Sequence, residues 1–80
     1  MDDSEIISRI SALAEMERAL EESHGAEGLS EGDQERLRGI EVTLDRLWDL
    51  LRQRRALRDA AKNPEGATER SPDTVERYLQ

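Results

Sequence analysis

Two apolar seams, mirrored across a glycine-bearing turn, constrain this 80-residue chain more than any other feature of it. The first seam is Ile6, Ile10, Leu13 and Leu20; the second is Leu37, Ile40, Leu44, Leu47 and Leu51. Steps of three and four residues are the spacing of a helix that lies along another helix. Between the seams stands His24-Gly25-Ala26-Glu27-Gly28-Leu29. The pattern predicts an all-α fold built on an antiparallel, coiled-coil-like two-helix hairpin. One register satisfies the whole seam: Leu20 meets Leu37, Leu13 meets Leu44, Ile10 meets Leu47 and Ile6 meets Leu51. Extended by one turn, it sets Asp3 opposite Arg54.

Local signals place the elements of what reads as a single helical domain. The first helix is expected over about 4–24, with Asp2, Asp3 and Glu5 at its positive end and Gly25 just past its close. Ser30 is a suitable N-cap for a second helix over about 31–62, and Asp33 stands where a capping box needs a side-chain acceptor. Residues 63–70, with Pro64 and Gly66, read as a loop. Ser71-Pro72 puts a cap and an N1 proline together, predicting a short helix over about 72–79 with Val75, Tyr78 and Leu79 on one face. Two helical turns do not persist alone in water, so this helix should dock. The expected place is the distal half of the second helix, within its own subunit or across a dimer, where residues 55–62 would project past the first by roughly 12 Å and Leu57 needs cover.

Charged residues are 39% of the chain and hydrophobic ones 35%, with no Phe. This suits long helices with a thin core. Ile7, Ala14 and Met16 flank the first seam, while Leu47, Trp48, Leu50 and Leu51 spread over a broad arc of the second helix. A helix with one neighbour needs only a narrow stripe. The breadth therefore predicts a homodimer closing into a four-helix bundle, with Trp48 as a buried interface anchor.

Several function classes are disfavoured. No apolar run reaches the roughly 20 residues that span a bilayer, and the acidic opening Met1-Asp2-Asp3-Ser4-Glu5 is unlike a basic secretory leader. Absence of cysteine removes thiol and disulfide chemistry and suits a cytoplasmic protein. Gly25 and Gly28 follow a helix, where a phosphate loop follows a strand, and the lone His24 has no oriented nucleophile. No catalytic residue, cofactor or resident metal is expected.

Two clusters remain as alternatives. Glu17, Glu21 and His24 include the Glu-x-x-His spacing of metal-binding bundles, although the register sets Ile40 and Arg36, with no carboxylate, opposite the two glutamates, and only Asp33, opposite His24, could join. The run Arg52-Gln53-Arg54-Arg55-Ala56-Leu57-Arg58 could meet nucleic acid or phosphate. Against that, the net charge is −7, only one Trp and one Tyr are present to stack on bases, and Arg54, Arg55 and Arg58 can neutralise the acids of the first helix. The surface expected to meet an unidentified protein partner is Arg52, Arg55 and Arg58 beside Val75, Tyr78 and Leu79.

The opening Met1-Asp2-Asp3-Ser4-Glu5-Ile6, the block Leu44-Asp45-Arg46-Leu47-Trp48-Asp49-Leu50-Leu51-Arg52-Gln53-Arg54-Arg55-Ala56-Leu57-Arg58 and the ending Val75-Glu76-Arg77-Tyr78-Leu79-Gln80 resemble a family of short actinobacterial proteins classed as a domain of unknown function. The resemblance spans nearly the whole chain. It implies a cytosolic bacterial protein and carries over no activity, cofactor or catalytic residue.

Overall fold

The computed structural model describes residues 1–22 and 28–79, the side chains of Tyr78 and Leu79 excepted. The elements in order are α1 Asp3–Glu22, α2 Glu31–Asp59, a 3-10 turn Pro64–Gly66 and α3 Pro72–Leu79. There is no strand among the described residues. α1 packs against α2, and the 3-10 turn and α3 fold back onto α2 as a C-terminal arm. The molecule is a thin slab of 51 × 25 × 15 Å.

Each start is made by a side chain that takes an orphan backbone N–H. Asp2 Oδ1 accepts from the Glu5 N–H at 2.8 Å, Ser30 Oγ from Asp33 at 3.2 Å, and Ser71 Oγ from Thr74 at 3.2 Å. The close of α1 and the glycine expected beyond it, Gly25, lie outside the described residues.

The core sits at the open end of the hairpin. Ile6, Ile10, Leu47, Leu50 and Leu51 are buried together, with Leu13, Leu44 and Ala67 packed against them. Ile40 is also buried, while Leu20 and Leu37, toward the connecting turn, are only half-buried. Asp3 meets Arg54 through an ion pair, the pairing that the seam register sets.

α2 ends at Asp59 and not near Lys62. The Lys62 N–H reaches back to the Leu57 carbonyl at 2.7 Å, and the Ala61 N–H to Arg58 at 2.9 Å. That is a Schellman close, with Ala61 at φ 58 in the left-handed region. Glycine is the usual residue there, so an alanine gives no stop signal. The overhang is therefore shorter, residues 55–59, and not free: Arg58 reaches back to Asp3 at 2.7 Å, and Gly66 lies beside Leu57, a Cβ on it falling 3.8 Å from Leu57 Cδ1. The turn, and not α3, covers Leu57.

Candidate interaction surface

The basic block divides into inward and outward halves. Arg54 is buried, with Nε on Asp3 Oδ1 at 2.5 Å and Nη1 on Glu65 Oε1 at 3.2 Å and on the Pro64 carbonyl at 3.4 Å. Hydrogen bonds first from Arg58 and then from Arg54 hold the Asp3 carboxyl below its ordinary range, and the bond to Asp3 holds Arg54 still more firmly protonated. Arg52 and Arg55 point outward, exposed, and no carboxylate among the described residues pairs with either. Of the arginines expected to face a partner, Arg58 is therefore already engaged.

The arm is fastened mainly by side chains of α2 that bond its backbone. The Gln53 amide donates to the Thr68 carbonyl at 2.8 Å and accepts from the Thr68 N–H at 3.4 Å. Arg46 Nε donates to the Arg70 carbonyl at 3.0 Å. Buried Asp49 accepts from Gln53 at 2.9 Å and faces Arg70 Nη1 at 3.7 Å. The arm thus runs back along α2, and α3 lies near the middle of that helix, where Glu76 meets Asp45 carboxyl to carboxyl. The hydrogen bond with Asp45 pushes Glu76 above the ordinary glutamate value, and desolvation adds to it. The distal half of α2 receives the turn instead.

This docking revises two expectations. Val75 is 1% exposed and so is packing, not partner surface; the Tyr78 and Leu79 side chains lie outside the described residues. Leu50 is buried within the chain and Ala67 of the arm joins its cluster, so part of the broad apolar arc is covered without a second copy.

Trp48 is left over. It is 45% exposed, and Ile7 is 51% exposed, so neither is a buried anchor within the chain. Each stands one residue after a seam position, Leu47 and Ile6. In an antiparallel pair the residues following the seam on both helices border one flank, and those preceding it border the other. Arg46, Leu50 and Gln53 precede seam-side residues of α2 and lie under the arm; Glu69 of the arm lines a groove there with Arg9, Leu13, Thr43 and Leu47. The arm therefore closes the preceding flank, and Ile7 and Trp48 lie on the open one. Met16, also exposed, borders a shallow groove with Ala19, Leu20, Arg36 and Ile40.

On the open flank α2 carries Glu41, Trp48 and Arg55 at heptad spacing, in line along the helix. Oxygens of Glu41, Glu17 and Glu21 all lie within 4.8 Å of one another. The carboxylate that joins Glu17 and Glu21 is therefore Glu41, and not Asp33 as the register suggests. Glu41 sits one residue past Ile40, and that step of about 100° around the helix carries it from the seam to the flank. No cation among the described residues pairs with these three. His24, the expected third ligand, lies outside the described residues. None of the three carboxylates is buried, and no fourth His, Asp or Glu joins them among the described residues.

Sequence reasoning missed Glu41, Asp49 and Gln53. Glu41 was visible as a heptad neighbour of Trp48. Asp49 and Gln53 looked like ordinary solvated helix residues, because nothing local shows that the arm returns over them.

No helix among the described residues is long and apolar enough to cross a membrane. Residues 2–80 match the family described as "Protein of unknown function (DUF2630)". An uncharacterized protein of Mycobacterium bovis is 47% identical over 77 residues, covering 95% of this chain and 88% of that protein. An uncharacterized protein of Mycobacterium tuberculosis matches with the same identity and coverage. No solved structure matches the chain.

Proposed function

The chain belongs to the DUF2630 family, whose description carries no activity, and from the surface alone we propose that it is a non-catalytic, cytoplasmic helical interaction module that docks protein through the open flank of its hairpin. The observation that carries this reading is the asymmetry of the two flanks. The chain uses its own arm to close one and leaves Ile7 and Trp48 exposed on the other. Half-exposed large apolar residues beside unpaired charges are the makings of a docking patch with a polar rim. A nucleic-acid role has less support, since Arg54 and Arg58 are spent on Asp3 and only Arg52 and Arg55 of the block face outward.

A photo-crosslinking residue at position 48, compared with one at exposed Glu35 on the other side of α2, tests the reading in cells of the native host. Protein adducts specific to position 48 are expected. Their absence, with the Glu35 variant behaving alike, would remove the proposal. Salt-sensitive retention on DNA that is lost with Arg52 and Arg55 would favour nucleic acid instead.

A further inference from the structure

We infer that the partner on this flank is a second copy of the same chain, placed by a two-fold axis that crosses α2 at Trp48. The inference rests on the flank being a docking surface and adds who docks there and how. Its basis is the order of charge along α2. Glu41 lies seven residues before Trp48 and Arg55 seven after it, two helical turns or about 10 Å each way, all on one stripe. The acidic end is uncompensated: Glu41 sits with Glu17 and Glu21, and no cation among the described residues meets them. The basic end is equally unmatched, since no carboxylate among those residues pairs with Arg52 or Arg55.

A two-fold rotation at Trp48 reverses the direction of α2. It lays Glu41 against Arg55 of the partner subunit and Arg55 against Glu41 of the partner subunit, while the two indoles meet at the axis. One patch is then complementary to itself, as an isologous interface requires. A parallel or offset alignment would lose these pairings. Arg52 falls one turn short of Arg55 and reinforces the basic end. An aromatic centre within a charged rim is also how compact interfaces distribute their energy. Two slabs, each with a thin core, would share a four-helix layer, and the arms would lie outside it on the flanks they already cover.

The test uses the full chain and its single tryptophan. Sedimentation equilibrium over the micromolar range should show a reversible species of twice the 9.1 kDa chain mass, and Trp48 emission should shift to the blue as it forms. Glu41→Arg and Arg55→Glu should each weaken self-association by about tenfold or more, because each replaces two attractive pairs by two repulsive ones. Circular dichroism should show that both variants keep their helices. Mixed in equal amounts they should associate again, since one chain then offers arginine at both positions and the other glutamate at both. A wild-type chain that stays monomeric to several hundred micromolar would overturn the second copy, whereas the docking reading would fall only if position 48 also gave no crosslinks. A dimer indifferent to both reversals, or a mixture no tighter than either variant alone, would overturn the two-fold at Trp48.

Discussion

Arg54 and Asp3 are 51 positions apart in the chain and 2.5 Å apart in space, Nε to Oδ1. The same guanidinium also holds Glu65 and the Pro64 carbonyl. One side chain therefore joins the first turn of α1, the last turns of α2 and the turn that begins the arm. Arg54→Ala should lower the melting temperature clearly more than Arg36→Ala, whose side chain is exposed on the same helix. Arg54→Lys should not rescue it, because a single ammonium lacks the fork that reaches three acceptors at once. Thermal melts of the three variants followed by circular dichroism check this. Equal losses for Arg54→Ala and Arg36→Ala would contradict the joint.

Two carboxyl groups should give the stability opposite pH slopes. Asp3 is depressed below its usual 3.8 by Arg58 and Arg54. Its contribution is full above the unfolded value and is lost as pH falls through the lower folded value. Glu76 is raised above its usual 4.5 by Asp45 and by desolvation. Its contribution is full below the unfolded value and is lost as pH rises through the folded one. Denaturant unfolding as a function of pH should thus show stability declining as pH rises from about 4.5, in addition to the acid loss below pH 4. Glu76→Gln should abolish the upper decline and raise stability at pH 7, because it removes one of two facing negative charges. An unchanged profile in Glu76→Gln would rule this pair out as the cause.

Core truncations should separate the hairpin from the arm. Ile6 is fully buried in the main cluster, and Ile6→Ala should cost about 2–5 kcal/mol, a large fraction of the stability of so small a domain. Val75→Ala removes two methyl groups' worth of burial and should cost about 1.5 kcal/mol. It should also raise apolar-dye binding while helix content stays near the wild-type level, since α1 and α2 do not depend on α3 for their pairing. Amide exchange would show the difference directly: faster in α3 alone for Val75→Ala, faster throughout for Ile6→Ala. Uniform acceleration in both variants would mean that the arm and hairpin unfold as one unit.

Ala61 offers a stabilising change. Its φ of 58 costs a residue with a Cβ roughly 1–2 kcal/mol, part of which glycine recovers after its greater loss of backbone freedom. Ala61→Gly should therefore raise stability by up to about 1 kcal/mol and preserve the Schellman hydrogen bonds of Ala61 and Lys62. A loss of stability in chemical denaturation would argue against this close to α2.

The hairpin, its register and the helix starts were legible in the sequence because they depend on near neighbours. Helical periodicity fixes which residues share a face, and matching two apolar faces head to tail leaves one alignment, the one that carried Asp3 to Arg54. Caps such as Ser30 and Ser71 act within three residues of themselves. What the sequence could not determine was which flank of the hairpin the C-terminal segment would take. Gln53, Asp49 and Arg46 are polar helix residues that would be equally content in water, and their bonds to Thr68 and Arg70 exist only once the chain has turned back at Pro64. The end of α2 was hidden for a different reason: an alanine at positive φ carries none of the stop signal that a glycine would give. The arm's choice decided the surface as well, for by burying Leu50 and Val75 on one side it left Trp48, flanked by unmatched charge, on the other.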